Sequence, residues 1–160
     1  MTDDFRSVFD ASKKQAEAAE AAKHAAAEKR RKDYLALGDR LKEIVTPLYE
    51  EAAAALAPDA FLKMSDHTAY PTTRDVGAPA LSFSMSSDQS ASPNLSGRRS
   101  SLYVIEIYGG QQLNVYEGAT NRNTINSIIA AKTLSDFDRA AFGRLLKVMS
   151  DDYNSRPSRR

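Results

Sequence analysis

The side chains that could support acid–base chemistry are concentrated around His67. Its neighbours supply acids, a hydroxyl group and a cation within ten residues: Asp66, Thr68, Tyr70, Arg74 and Asp75. General acid–base catalysis uses these residue types. A strand end followed by a surface loop has the same composition, and we favour that structural interpretation. His24, the other histidine, lies on the polar arm beside Lys23 and is expected in solvent.

Glu106 is the second candidate for chemistry, because it stands between two isoleucines in the most apolar segment of the chain. A buried carboxylate must be paired, or its pKa rises, and perturbed carboxylates in clefts are candidate functional groups. The simpler interpretation is that its strand face is partly solvated, or that an arginine such as Arg99 or Arg122 pairs with it. An enzyme would require a pocket between Glu106, His67 and the loop 71–80.

Several classes of site have no support in the sequence. The chain contains no cysteine, which excludes disulfides, thiolate metal sites and a cysteine nucleophile. Two isolated histidines do not have metal-ligand spacing, and no run of carboxylates has the spacing of a calcium loop. Gly109-Gly110 lacks the lysine and helix start of a phosphate loop and is expected to form a turn. We therefore predict no metal, no cofactor and no catalytic residues, and expect a non-enzyme.

Three basic clusters are candidates for binding anions. The densest is Lys29, Arg30, Arg31 and Lys32; the others are Arg98 with Arg99, and Arg156, Arg159 and Arg160. Such clusters neutralise phosphates without regard to sequence. The chain has 22 basic and 21 acidic residues, however, and no aromatic residues alternate with the clusters. Solvated charge is the first interpretation, and a nucleic-acid partner is the alternative.

The sequence also suggests a cellular compartment. Its N-terminal segment is acidic and lacks the apolar stretch of a secretory signal. No run of 18 apolar residues is present, so no membrane span is predicted. We expect a cytoplasmic protein that does not enter a membrane.

Residues 1–57 predict a long helical arm, because alanine, glutamate, lysine and arginine dominate them. Residues 10–33 form a polar spacer, whereas 34–57 carry an apolar stripe that anchors the arm. The stripe contains Tyr34, Leu37, Leu41, Ile44, Leu48 and Ala52. Pro47 after Thr46 predicts a helix restart, with a kink inside one unbroken helix as the alternative. Pro58 is expected to end the arm.

The tip of the arm carries Phe5, Val8 and Phe9, spaced so that they share one face of a helix. Three large apolar side chains on a polar arm require burial. Two alternatives are open: the arm folds back onto its own domain, or the tip docks on a second copy or another protein. These three residues are the predicted partner-binding site.

Residues 58–154 predict an α+β domain with an antiparallel meander of four or five strands. Two strands are the clearest: at Leu81–Met85 apolar residues alternate with serines, and Leu102–Tyr108 is a mostly apolar run. Phe61–Tyr70 is the least certain strand. Gly109-Gly110 predicts a two-residue hairpin loop, which would place Val104 opposite Val115 and Tyr103 opposite Tyr116. In that register Glu106 shares a face with Val104 and Leu113. Thr124–Thr133 is expected to be a strand, with a short helix as the alternative.

One C-terminal helix is expected to cover the sheet. Ser135 and Asp138 resemble a capping box, and the apolar stripe is Phe137, Ala141, Leu145 and Val148, widened by Phe142, Leu146 and Met149. Long loops are predicted at 71–80 and 86–101, and a disordered basic tail at 155–160.

This α+β architecture predicts a non-enzymatic protein–protein interaction or assembly module. We expect a homodimer formed through the N-terminal arm, with a coiled-coil character, or binding of the arm to another protein. The alternative function is a nucleic-acid-binding accessory protein that uses residues 29–32 and the arginine-rich tail.

Overall fold

The computed structural model of the chain describes residues 2–71, 77–89, 98–118 and 123–156. Two compact units divide the chain, residues 1–34 and residues 35–160. Three helices are described: α1 (Thr2–Leu56), α2 (Asn126–Ile129) and α3 (Arg139–Ser155). Within the described ranges, five strands form one sheet: β1 (Phe61–His67), β2 (Ala80–Ser86), β3 (Tyr103–Tyr108), β4 (Gln112–Glu117) and β5 (Asn123–Thr124).

Helix α1 runs through Pro47 without a break. The predicted restart at Thr46 and Pro47 is therefore wrong, and the alternative of one unbroken helix is right. Proline has no N–H, so the carbonyl of Glu43 lacks its helical donor. Glu43 and Pro47 are both exposed, and water can take the place of that donor. The helix ends at Leu56, shortly before Pro58 as predicted.

The buried stripe of α1 in the second unit is centred on Leu41, Val45 and Ala52. Ile44, which the sequence placed on this stripe, is 41% exposed, and that assignment is wrong. Val45, the next residue along the helix, is buried in its place, in the same part of α1 where Gly38 lies against Thr68. The other residues of the predicted stripe in this unit, Leu37 and Leu48, pack at its margin.

Gly38 gives the first prediction, because its backbone lies against a buried side chain. A Cβ atom at this position would stand 2.8 Å from Cβ of Thr68, closer than atoms of this kind approach. We expect Gly38→Ala to destabilise the protein by about 1 kcal/mol, since overpacking exceeds the gain in helix propensity. Gly143→Ala in α3 is the matched control: nothing lies within 4 Å of its Cβ position, so a gain of about 0.5–1 kcal/mol is expected. Urea denaturation of both variants measures the free energy of unfolding, which should fall for Gly38→Ala and rise for Gly143→Ala.

The sheet is the predicted antiparallel meander, with the strands in chain order. Its core face carries Leu81, Phe83 and Met85 of β2, all buried, and β3 is the central strand. Helices α1 and α3 both contribute to the cluster on this face. The Phe83 ring lies 6.2 Å from that of Tyr49 in α1 and 6.0 Å from that of Phe142 in α3, measured between centroids.

The β3–β4 hairpin differs from the prediction by one residue. Its loop contains three residues, Gly109–Gln111, with positive φ angles at Gly110 and Gln111. Val104 therefore pairs with Tyr116, and Tyr103 with Glu117. A shift of one residue exchanges the two faces of a strand. Leu113 consequently lies on the core face, so Glu106 shares its face with Val104, as predicted, but not with Leu113.

The strand predicted over Thr124–Thr133 is wrong, and the short-helix alternative is right. Strand β5 ends at Thr124, and α2 follows. The side chain of Asn126 explains this change. Its Oδ1 accepts a hydrogen bond from the Val115 N–H at 2.9 Å, and its Nδ2 donates to the carbonyls of Leu113 at 3.1 Å and Ala131 at 2.9 Å. This amide satisfies backbone groups of β4 that a longer fifth strand would have used.

Helix α3 is capped differently from the prediction. Asp138 is the N-cap residue and accepts a hydrogen bond from the Ala141 N–H at 2.9 Å. Ser135 belongs to a preceding 3-10 turn, in which Thr133 and Asp136 form the capping box, so the predicted Ser135–Asp138 box is wrong. The predicted stripe is correct in its centre, with Phe137, Ala141 and Leu145 buried.

The C-terminal boundary also lies further along the chain than predicted. Helix α3 includes Ser155, and Arg156 contacts Asp152 and Ser101, so the disordered tail does not begin at 155. Residues 157–160, with Arg159 and Arg160, lie outside the described residues. The same holds for 72–76 and 90–97 within the two predicted loops.

Candidate functional site

The predicted partner-binding residues form an exposed apolar patch on the first unit. Phe5 is 76% exposed, Val8 69% and Phe9 60%. One turn of α1 brings them to the same side, because residues three and four apart are neighbours on a helix. The guanidinium of Arg6 lies 5.8 Å from the centre of the Phe9 ring and also pairs with Asp10 at 3.4 Å.

The rest of this unit offers little burial of its own. Every residue from Asp4 to Asp33 is exposed. Such a helix is stabilised mainly by alanine propensity and by local charge pairs, which contribute a few tenths of a kcal/mol each. The predicted spacer 10–33 is thus an exposed helix. The tip that precedes it is exposed as well, but it carries large apolar side chains.

The predicted anion-binding residues are in different environments. Lys29, Arg30, Arg31 and Lys32 are all exposed. Consecutive residues on a helix point about 100° apart, so these four surround α1 rather than line one side. Arg98, by contrast, is half-buried, and its guanidinium lies 5.6 Å from the centre of the Tyr153 ring. Arg99 is exposed and pairs with Ser86 in an isolated β-bridge.

His67 and Glu106 lie on the face of the sheet opposite to the core, which we call the second face. His67 pairs with Ala80, and Ala80 pairs with Glu106, so the three residues form one row across β1, β2 and β3. Neighbouring strands are about 4.8 Å apart, which places His67 and Glu106 roughly 10 Å from each other. The sheet therefore brings the two candidates to the same face, with Ala80 between them.

His67 is connected to a serine of the neighbouring strand. Its Nε2 lies 3.0 Å from Oγ of Ser82. This is the distance of a base and a nucleophile in covalent catalysis. Ser82, however, is only 3% exposed, so a substrate does not reach its hydroxyl group in this conformation. The contact joins β1 to β2.

Asp66 binds the backbone of the residue that follows β1. Its Oδ1 accepts a hydrogen bond from the Thr68 N–H at 2.8 Å, and its Oδ2 lies 3.5 Å from Nζ of Lys42. Burial raises the pKa of Asp66, but the hydrogen bonds from Thr68 and the charge of Lys42 outweigh it and hold the pKa below its ordinary value. Asp66 is thus a turn-forming carboxylate. Arg74 and Asp75, the other charged residues of the predicted cluster, lie outside the described residues.

Glu106 is 7% exposed and is held by two tyrosines. The Tyr116 hydroxyl donates to Oε1 at 2.8 Å, and the Tyr108 hydroxyl donates to Oε2. The sequence missed both tyrosines, and Arg122, one of the two arginines that it proposed as a partner, lies outside the described residues. Tyr108 could have been found, since it lies two residues from Glu106 on the same strand face. Tyr116 could not, because it reaches this face only in the observed register.

This carboxylate supports a prediction about the second face. We expect Tyr116→Phe to lower the free energy of unfolding by about 1–2 kcal/mol and Glu106→Ala by about 2–3 kcal/mol, because hydrogen bonds to a buried charged group are the strong ones. The double variant should lose less than the sum, since both changes remove the same bond. Gln112→Ala, an exposed change on the same face, is the control. Equal and additive losses in urea denaturation would contradict the pairing.

The described residues contain no group of three or more histidine, aspartate and glutamate side chains arranged to hold a metal ion. Among the helices described, none is long and apolar enough to cross a membrane. Comparison of the sequence with protein-family models and curated proteins, and of the fold with solved structures, gives no match.

Proposed function

We propose that this chain is a non-enzymatic assembly module that forms a homodimer through its first unit. The observation that carries the proposal is the exposure of Phe5, Val8 and Phe9 on an otherwise polar helix. Large exposed apolar side chains that are clustered rather than scattered mark interaction sites.

The magnitudes are compatible with a dimer. Full burial of one such side chain contributes about 1.5–3 kcal/mol, so six of them in two protomers contribute at most about 9–18 kcal/mol. Association costs about 4–15 kcal/mol in lost translational and rotational freedom. The tip alone therefore supports a weak dimer, and contacts along residues 10–33 are required for a tight one.

The mass of the full chain in solution tests the proposal. Size-exclusion chromatography with light scattering should give twice 17.5 kDa for the wild type. The triple variant Phe5→Ser, Val8→Ser, Phe9→Ser should become monomeric at the same concentration. The matched control is Ala18→Ser, Ala21→Ser, Ala25→Ser, which adds three serines on the opposite side of α1 and should remain dimeric. A monomeric wild type, or a triple tip variant that stays dimeric, contradicts the proposal.

The exposure of Lys29–Lys32 supports a second candidate, a nucleic-acid-binding accessory protein. It is weaker, because the four side chains surround the helix and Arg98 is stacked on Tyr153. Filter binding of DNA and RNA at two salt concentrations separates the candidates. Retention at low salt that falls steeply with added salt supports this function, and no retention at low salt removes it.

A further inference from the structure

The side of α1 that carries the tip continues as far as Arg30. Steps of three and four residues from Phe5 to Arg30 lead through bulky, small and cationic positions, all exposed. The first turns are bulky, with Phe5, Val8 and Phe9. Beyond them the positions are small, at Ser12, Ala16, Ala19, Ala26 and Ala27, apart from the two cations Lys23 and Arg30. We call this side the arm stripe.

A parallel, in-register pairing of two arm stripes is unfavourable. Every residue would then face its own copy. Lys23 would meet Lys23 and Arg30 would meet Arg30, and like charges directly opposite each other at an interface cost several kcal/mol. The bulky tips would crowd together, whereas facing alanines further along would leave gaps.

We infer that the two arms pair antiparallel, with the two-fold axis between Glu17 and Ala18; this inference rests on the proposed homodimer. The pairing places Phe9 opposite the second copy's Ala26 and Val8 opposite its Ala27, so that these two large residues each meet a small one. At the centre, Ala16 faces the second copy's Ala19. The stripe is complementary to itself only in this orientation.

The charges fit the same arrangement. The guanidinium of Arg30 is opposite the second copy's Phe5, where it can lie against the ring as a cation does in a cation–π contact. Lys23 faces Ser12 instead of another cation. At the edges of the stripe, Asp4 comes beside the second copy's Lys29 and Lys13 beside its Glu20. Two kinds of like-charge pair result, Arg6 with Arg31 and Asp4 with Asp33. The contact of Arg6 with Asp10 reduces the cost of the first, and Lys29 beside Asp4 reduces the cost of the second.

Distances between spin labels test the orientation, and the absence of cysteine makes single labelling clean. Ser7→Cys, Ala18→Cys and Ala25→Cys place one label each on the side of α1 away from the stripe. With a rise of 1.5 Å per residue, the antiparallel pairing separates the two labels along the axis by about 30 Å at position 7, about 2 Å at position 18 and about 22 Å at position 25. The separation of the two labels perpendicular to the helix axes is about the same at all three positions.

The expected result is therefore a distance that is smallest at position 18 and grows toward both ends. Equal distances at the three positions mean a parallel pairing and overturn this inference, while the proposed dimer stands. A minimum elsewhere in the arm overturns the register. A monomeric mass without dipolar coupling overturns both the inference and the proposed function. A dimer whose mass survives the triple tip change is held by another surface and overturns both as well.

Discussion

Replacing Phe83 with alanine is expected to lower the free energy of unfolding by about 3–5 kcal/mol, the range for deleting a buried phenylalanine ring. Phe83 has no exposed surface and lies on the core face of β2. Its ring contacts Tyr49 from α1 and Phe142 from α3, so three elements of the second unit meet at this side chain. Rigid elements on several sides cannot all collapse into the cavity that alanine leaves.

Urea denaturation measures this loss, as a lower midpoint with an unchanged slope. Phe83→Leu is the first control, since a change that nearly conserves volume should cost less than about 1.5 kcal/mol. Leu102→Ala, at a position beside β3 that is 38% exposed, should cost much less than Phe83→Ala. A loss below about 1 kcal/mol for Phe83→Ala would mean that α1 and α3 do not close over the sheet as described.

The second large effect is expected at Asp152, which connects the end of α3 to the start of β3. Its Oδ2 accepts hydrogen bonds from the Ser101 N–H at 2.6 Å and from the Tyr103 hydroxyl at 3.3 Å, and its Oδ1 accepts from Arg156 Nε at 2.9 Å. Asp152→Asn keeps the shape but removes the charge and one acceptor. A loss of about 2–3 kcal/mol is expected, since hydrogen bonds to charged groups contribute more than neutral ones.

The same carboxylate predicts a dependence of stability on acid. Burial raises the pKa of Asp152, but the hydrogen bonds from Ser101 and Arg156 outweigh it, and the folded pKa lies below the ordinary value of 3.8. A lowered pKa contributes stability that is fully present above 3.8 and is lost as the pH falls through the folded value. The wild type should therefore lose more stability than Asp152→Asn between about pH 5 and pH 2.

At Tyr103 a loss of stability is expected at alkaline rather than at acid pH. Burial, followed by the nearby Asp152 charge, raises the pKa of its hydroxyl above 10.0. The folded state then retains a proton that the unfolded chain releases, so stability falls as the pH rises beyond 10.

Asp151→Asn is the control for both pH ranges. Asp151 is adjacent to Asp152 but exposed, and it pairs with Lys147 on the surface at 2.8 Å. The free energy of unfolding of the Asp151→Asn variant should therefore stay within about 0.5 kcal/mol of wild type. Identical acid profiles of the wild type and Asp152→Asn would refute the role assigned to Asp152.

Much of the fold could be predicted from local patterns. The alternation at Leu81, Phe83 and Met85 predicts β2 and its buried face, because successive residues of a strand point to opposite sides. The alanine-rich composition predicts α1, and the stripe at Ala141 and Leu145 predicts the buried side of α3. These signals depend only on residues a few positions apart.

The errors share a different cause. The hairpin register depends on a loop of three residues rather than two, and a positive φ at Gln111 is not visible in the residue type. The end of the sheet depends on Asn126, whose amide binds backbone groups of β4 from a position eleven residues along the chain from Val115. The burial of Val45 rather than Ile44 depends on which side of α1 packs against the domain.

The chemistry-bearing residues divide in the same way. The sequence by itself determined that the tip of α1 is apolar, that the arm stripe combines bulky, small and cationic positions, and that cysteine chemistry is absent. Only the tertiary structure decided that Glu106 is bound by Tyr108 and Tyr116, that Ser82 beside His67 is buried, and that Arg98 is stacked on Tyr153. Helix periodicity and composition are properties of neighbouring residues, whereas burial and hydrogen bonding depend on which distant segments fold against each other.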